Sequence, residues 1–312
     1  MIFAASALDH VLDTLHWHIL EEYMHVTIPL PHVGEFGLTK YSILMLLAGG
    51  LIMWIYIPLA KKIQTGAAPS GRFWNLFEFI LTFIRDQVAK PYIGKEADRY
   101  VPYLWTVFLF VLFCNLLGMI PFLGSPTASF TVTSVLAVSV FIFIHLNSIL
   151  KFGVKNHLLA FAPHLDMPLA MKLPLLFMLW PIEFLGLALK CFILSVRLFA
   201  NVFAGHVVLG SILLFIPMVK STGLALESTV TLASVVGVLA LSFLELFVAF
   251  LQAFIFAFLT ALFFGGILEH AEHAAHADHA ERHGAHHAGH AHESDAGPDD
   301  IHLQANTLRQ RH

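Results

Sequence analysis

Four polar residues in a long apolar stretch are of types that can hold or accept charge inside a membrane: Glu183, Lys190, Arg197 and Asn201. At 100° per residue these positions fall within about 60° of one another, so on a helix they form one polar stripe. A charge at membrane depth costs at least about 2.5 to 3.5 kcal/mol on insertion scales. Arg197 must therefore have a partner or a wet cavity. The structural alternative is an arginine held by neighbouring carbonyl groups.

A second polar set follows along the chain. His206 lies nine residues beyond Arg197, which predicts that it points to the opposite side of the same helix. Glu245 and Gln252 are seven residues apart in the next apolar stretch and share a face. If the chain turns near residue 221, Glu245 reaches the depth of Arg197, and His206 lies about 13 Å nearer the turn. Gln252 then lies toward the cytoplasm.

These positions place titratable or polar groups on each side of a central arginine, without one continuous file through the membrane. Two half-channels are the natural interpretation. A histidine and a carboxylate can exchange protons near neutral pH once their surroundings adjust them, whereas arginine stays protonated. Arg197 is thus predicted to act as a barrier and a counter-charge. For His206 and Glu245 the alternative is a satisfied hydrogen bond between helices.

The composition indicates a polytopic membrane protein. Of the 312 residues 58% are hydrophobic and 12% are charged, with a mean hydropathy of +0.77. Its net charge of -4 contains no basic block with interleaved aromatics, so we expect a lipid bilayer and no nucleic acid as a partner. Cys114 and Cys191 stand in apolar stretches without metal-ligand spacing, which favours packing. The amino terminus lacks the pattern of a cleavable signal peptide.

We predict an all-α fold with three upright transmembrane helices, one interfacial helix and a long, strongly tilted two-helix hairpin. The membrane domain covers residues 41–268. Its upright spans are 41–60, 103–122 and 130–150, its interfacial helix is 72–90, and its hairpin is 168–217 with 223–268. Residues 1–40 precede it, and a His-rich, disordered tail follows at 269–312.

Charge and length orient these elements. The loops around 61–99 and 151–172 are basic whereas 121–130 has no basic residue, which predicts that both basic loops and the tail are cytoplasmic and the amino terminus is not. As one helix, residues 223–268 would be about 68 Å long, more than twice the hydrocarbon thickness. A steep tilt is favoured over a break at Gly237, because no proline interrupts the stretch.

Two segments resemble the signature helices of subunit a of F-type ATP synthases. They are SVRLFANVFAGH, Ser195 to His206, and LELFVAFLQAFIF, Leu244 to Phe256. Upstream, PIEFLGLALK at 181–190 also matches the family. FCNLLGMIP at 113–121 is similar to the family's Asn-containing helix, with Gly118 where some members carry an acidic residue. That departure leaves Asn115 as the polar candidate there. The resemblance covers roughly residues 40–268.

The resemblance implies a non-catalytic stator subunit without a cofactor. Its partners would be a ring of c subunits with membrane-buried carboxylates, the peripheral-stalk b subunits and, indirectly, the F1 catalytic head. Arg197 would face the ring. The resemblance also implies that His206 and Glu245 belong to the non-cytoplasmic half-channel. Asn201 and Gln252 would lie near the arginine. Glu183 and Lys190 would lie on the cytoplasmic side. Some members exchange the residue types of the His206 and Glu245 positions, which suggests a functional pair.

Other readings of the sequence have distinct signatures. A self-contained ion-coupled transporter predicts internal repeats and broken helices, and an intramembrane metalloenzyme predicts HExxH-type spacing; neither pattern is found. The tail histidines favour a solvated, pH-responsive segment over a metal site. Proton and sodium remain open as the transported ion, and a bacterial inner membrane is predicted with an organelle as the alternative.

Overall fold

The computed structural model describes residues 16–19, 26–29, 32–33, 36–37, 39–64, 71–120, 123–159, 169–219 and 223–293. They divide into two compact units. The first combines the described parts of 1–146 and 183–266, and the second those of 147–182 and 267–312. All eight candidate site residues belong to the first unit.

Short strands come first along the chain. β1 (His16–Ile19) pairs antiparallel with β2 (Val26–Pro29), and β3 (His32–Val33) with β4 (Phe36–Gly37). Everything described after them is helical or connecting backbone. The prediction of an all-α membrane part is therefore confirmed, and the two strand pairs in the segment before it were not anticipated.

Helix α1 (Lys40–Gln64) packs through a seam at helical spacing. Its buried apolar side chains are Tyr41, Leu44, Ala48, Ile55 and Leu59. Ala48 contacts Cys114 and Leu117 of α4 (Ala97–Gly118) in one apolar cluster. The packing interpretation of Cys114 agrees with this position.

The segment predicted as an interfacial helix has three parts. α2 (Arg72–Phe83) buries no residue, a π-helical turn (Ile84–Ala89) buries Ile84, Val88 and Ala89, and α3 (Lys90–Ile93) carries Pro91. A 3-10 turn (Gly94–Glu96) leads into α4. The Arg85 guanidinium donates to both Asp98 oxygens at 2.7 and 3.1 Å, and this carboxylate raises the pKa of Arg85.

A loop and a kinked helix follow α4. Gly124 has φ 76°, which favours glycine, and a 3-10 turn (Pro126–Ala128) then leads into α5 (Phe130–Leu159). Gly153, with φ 80°, bends α5. In the second unit the His157 ring bonds Ser148 at 2.8 Å.

Two very long helices complete the chain. They are α6 (Leu169–Leu213) and α8 (Leu224–Glu293), joined through the short helix α7 (Phe215–Met218). α8 passes Gly237 without a break. It also continues beyond Glu269, where we expected disorder, in an alanine-rich sequence that favours helix. Residues 294–312 of the predicted tail lie outside the described residues.

Five stretches within the described helices are long and apolar enough to cross a membrane. They are Lys40–Lys62, Ala97–Gly118, Phe130–Val154, Phe177–Met218 and Ala225–Glu272. The last two contain 42 and 48 residues, far more than the roughly 20 that an upright span requires. This pattern establishes a multi-pass membrane protein.

Candidate functional site

The site begins where α6 and α8 are in close contact. Gly205 of α6 faces Glu245 of α8, and a Cβ atom on Gly205 would lie 2.8 Å from the Glu245 Oε1 atom. Small residues at such a crossing let two helix backbones come together. The absence of a side chain on Gly205 therefore provides the space in which the Glu245 carboxylate lies.

His206 completes this contact. Its Nδ1 atom is 3.9 Å from Glu245 Oε1, and both side chains are largely buried. The separation exceeds hydrogen-bond range and is of the size that one water can bridge. The structure thus brings together the imidazole and the carboxylate that the resemblance paired.

The register of the two helices determines what lies level with Arg197. Gly205 meets Glu245, and Gly237 meets Ile212 with 4.0 Å between its Cβ position and Cγ2. Continuing this antiparallel register from Gly205 eight residues toward the start of α6 places Arg197 level with Gln252 or its neighbour.

The expectation that Glu245 lies at the depth of Arg197 was therefore wrong. It assumed a symmetric turn centred near residue 221. The Gly205–Glu245 and Ile212–Gly237 contacts instead centre the register near residue 225, about four residues further along the chain. Glu245 consequently shares the level of His206.

A cavity of about 210 Å³ lies beside this pair, between α4, α6 and α8. Its polar lining comes from Asn115, Asn201 and Glu245, and most of the remaining lining is apolar. Since one water takes about 30 Å³ in the liquid, the volume suffices for a few molecules. The carboxylate of Glu245 thus borders a space that can be hydrated.

Asn115 is the contribution of α4 to the cavity. Its side chain is 3% exposed, and its Nδ2 atom donates to the carbonyl of Ala249 at 3.3 Å. The hydroxyl of Thr127 donates to Asn115 Oδ1 at 2.6 Å. Sequence reasoning had identified Asn115 but missed Thr127, because a lone threonine after a Gly-Ser-Pro turn carries no signal of burial.

Arg197 has very different surroundings. Its side chain is exposed, and among the residues that the structure describes it has no hydrogen-bond or ion-pair partner. Of the neighbouring exposed side chains of α6, Leu189, Phe192, Ile193 and Val196 are apolar, and Lys190 is a second cation. We call Leu189, Ile193, Val196 and Arg197 the outer face of α6. It is a largely apolar surface, and Lys190 lies two helical turns before the Arg197 guanidinium.

The rest of the predicted stripe is distributed as follows. Glu183 and Lys190 are exposed, and the Lys190 Nζ atom lies 5.5 Å from the ring centre of Phe263, within cation–π range. Asn201 turns to the cavity. Gln252 is 4% exposed, and its Nε2 atom has no hydrogen-bond partner within the described ranges.

No group of three or more metal-ligating side chains occurs among the described residues. The fold and the site therefore define a multi-pass helical membrane protein with a buried His–Glu pair at a cavity and a separate, exposed guanidinium on an apolar face.

Comparison with known proteins identifies the family. The family model described as ATP synthase A chain matches residues 42–265, so the chain belongs to this family. It is 36% identical over 273 residues to ATP synthase subunit a of Chloroherpeton thalassium, covering 86% of this chain and 78% of the relative.

Two further relatives carry the same name, ATP synthase subunit a. The ATP synthase subunit a of an Anaeromyxobacter species is 39% identical over 267 residues, covering 84% of this chain and 62% of the relative. That of Myxococcus xanthus is 37% identical over 269 residues, covering 82% and 84%. The chain is accordingly a non-catalytic membrane subunit of an ATP synthase, whose ATP-forming sites lie in the F1 part.

Proposed function

We propose that this chain is the stator of a rotary motor and supplies two half-channels to the carboxylates of a c-subunit ring, with Arg197 between them. The observation that carries this proposal is the exposed Arg197, which has no hydrogen-bond or ion-pair partner among the described residues and is flanked by the exposed apolar side chains Ile193 and Val196. A cation in lipid alone is costly, so this face calls for a partner with a compensating charge. A carboxylate on a neighbouring helix supplies it.

The uptake half-channel is proposed to include the cavity beside Glu245. Water in this space would reach the carboxylate, and His206 Nδ1, at 3.9 Å, lies close enough to exchange a proton through one water. Asn115 of α4 and Asn201 of α6 add polar groups to the lining of the same cavity. A ring carboxylate passing this level is reprotonated from the pair.

Arg197 then divides the two pathways. A ring carboxylate that has released its proton passes the guanidinium as an ion pair, and the arginine does not relay protons because it stays charged. This prevents a direct leak. Each proton that crosses 100 mV contributes about 2.3 kcal/mol, so several must pass for each ATP made.

The release half-channel is assigned to the cytoplasmic side, with Glu183 and Lys190 near it. Both are exposed on the helix that carries Arg197. Gln252, level with Arg197, offers a buried amide that can orient the guanidinium when the ring is present. We further propose a bacterial inner membrane, a non-cytoplasmic amino terminus, a cytoplasmic carboxyl terminus, and contact with peripheral-stalk b subunits.

A self-contained transporter has less support. Such proteins bind their ions at the ends of discontinuous helices. Here α6 runs without interruption past Arg197 and α8 past Glu245. No half-helix end is therefore available at either residue.

The test is ATP-driven proton pumping by the whole complex in proteoliposomes. We expect Arg197→Ala to abolish coupled pumping while the complex still assembles, since the side chain makes no hydrogen bond or ion pair with the described part of this chain. Leu185→Ala, a truncation at an exposed position of the same helix outside the outer face, is the matched control and should pump normally. Near-normal pumping by Arg197→Ala would refute the assigned role.

A further inference from the structure

A buried hydroxyl pair in the loop between α4 and α5 extends the site beyond the residues discussed so far. Ser125 and Thr127 are each 1% exposed. Their oxygens lie 2.7 Å apart, and Thr127 reaches Asn115 Oδ1 at 2.6 Å. Ser125 Oγ also lies 3.3 Å from the carbonyl of Cys114.

The direction of these hydrogen bonds follows from counting protons. Asn115 Nδ2 donates to the Ala249 carbonyl, so Oδ1 is the acceptor that faces Thr127, and Thr127 must donate its one hydroxyl proton there. Ser125 is then the donor in the 2.7 Å contact; its one proton is shared between the Thr127 oxygen and the Cys114 carbonyl at 3.3 Å, and the shorter contact is the stronger one. The order is Ser125 to Thr127 to Asn115 to Ala249, and bonds aligned in this way polarise one another.

The loop is held against α4 by the shape of the helix. Gly118 has no side chain, and a Cβ atom there would collide with Ser125 Cβ and lie 2.7 Å from its Oγ atom and 3.1 Å from its Cα atom. Ser125 thus occupies the side-chain space of Gly118. The hydroxyl pair is therefore fixed in position relative to Asn115.

The Ala249 carbonyl sets the orientation of the Asn115 amide, because turning the amide by 180° would place Oδ1 against this carbonyl, two acceptors facing each other. Thr127 then donates to the Oδ1 atom that this orientation turns toward it and holds the amide at its oxygen end. Asn115 also borders the cavity that contains Glu245. The orientation of the amide therefore decides which polar atoms this wall of the cavity presents to water.

We propose that Ser125 and Thr127 are positioning residues for proton uptake. Their two hydroxyl groups form a chain of hydrogen bonds that holds the Asn115 carboxamide in place at the cavity wall. Neither hydroxyl transfers a proton, and the amide supplies a fixed dipole to the water beside Glu245. This inference rests on the proposed function of the cavity as the uptake half-channel. It assigns a role to two residues that touch neither Glu245 nor Arg197 directly.

The experiment measures passive proton flow through the assembled complex after removal of the catalytic head. Thr127→Val keeps the shape and removes the hydroxyl, and we expect flow to fall about fivefold to tenfold, the factor of one buried hydrogen bond. Thr127→Ser restores the donor and should stay within about twofold of the wild type. Thr260→Val is the matched control, because among the described residues this fully buried threonine hydrogen-bonds to the Phe256 carbonyl of its own helix alone.

A double-mutant cycle separates positioning from general stability. If Thr127 acts through Asn115, Thr127→Val should slow flow much less in an Asn115→Leu background than in the wild type, and the two losses in thermal midpoint should not add. Should Thr127→Val prevent assembly, Ser125→Ala removes only the first donor and should slow flow about twofold to threefold.

Three results would overturn the inference. They are wild-type flow in assembled Thr127→Val or Ser125→Ala complexes, a Thr127→Ser variant as slow as Thr127→Val, and fully additive losses in the cycle. A wild-type complex that keeps its catalytic head but does not pump protons during ATP hydrolysis would instead contradict the proposed function. The two failures are thus distinguishable.

Discussion

Replacing Gly205 by alanine should disturb proton uptake without unfolding the protein. The new Cβ atom would lie 2.8 Å from Glu245 Oε1 and 3.2 Å from its Cδ atom. Ordinary contacts begin near 3.4 Å, so the carboxylate must move by at least about 0.5 Å. The moving group is the end of a flexible side chain, which makes this shift inexpensive.

The two energetic effects of Gly205→Ala are of similar size. Alanine favours a helix over glycine by roughly 0.5 to 1 kcal/mol, which offsets the cost of turning Glu245 aside. We therefore expect a thermal midpoint close to that of the wild type. The His206–Glu245 spacing of 3.9 Å changes, however. If this raises the uptake barrier by about 1.4 kcal/mol, proton flow falls about tenfold.

The assay is proton flow in proteoliposomes together with the thermal midpoint of the purified complex. Gly237→Ala is the matched control, since its Cβ would meet Ile212 at 4.0 Å, an ordinary contact between the same two helices. It should leave proton flow unchanged. Wild-type flow in Gly205→Ala would show that the position of the Glu245 carboxylate does not limit uptake, and equal slowing in both variants would indicate a general packing effect.

Two further substitutions test other parts of the account. Glu245→Gln keeps the shape of the side chain but removes its exchangeable proton, so the pumping rate should fall. Because His206 and water remain, the rate should stay above that of the Arg197→Ala variant. An unchanged pumping rate would make Glu245 a structural residue. Gly265→Ala should destabilise the complex by about 1 to 3 kcal/mol because its Cβ would collide with the backbone carbonyl of Tyr92, whereas Gly266→Ala has open space and should be neutral. Equal thermal midpoints for these two alanine variants would contradict the close packing of α8 against α3.

The membrane architecture could be predicted from the sequence, because apolar segments of this length are typical of membrane-spanning helices. The helices found at Lys40–Gln64, Ala97–Gly118 and Phe130–Leu159 contain most of the residues predicted for the upright spans. Periodicity also indicated that Arg197 and His206 point to different sides of one helix. In the structure Arg197 is exposed, and His206 lies against Glu245.

Other features depended on information that spacing does not contain. The level of Glu245 required the register of α6 against α8, which only the contacts between the two helices show. The roles of Ser125 and Thr127 depended on how a loop folds onto Gly118. The π-helical turn at Ile84–Ala89 likewise has no signature in residue type. Helix tilt and the orientation of the termini stay predictions from length and charge.

The surroundings of Arg197 in the assembled complex are the decisive observation. A density map of the whole ATP synthase should place the Arg197 guanidinium against a helix of another polypeptide, with a carboxyl oxygen within about 6 Å, the range in which opposite charges stabilise each other. A guanidinium turned instead onto a carboxylate of this same chain, with only lipid along the outer face of α6, would contradict the proposed stator function.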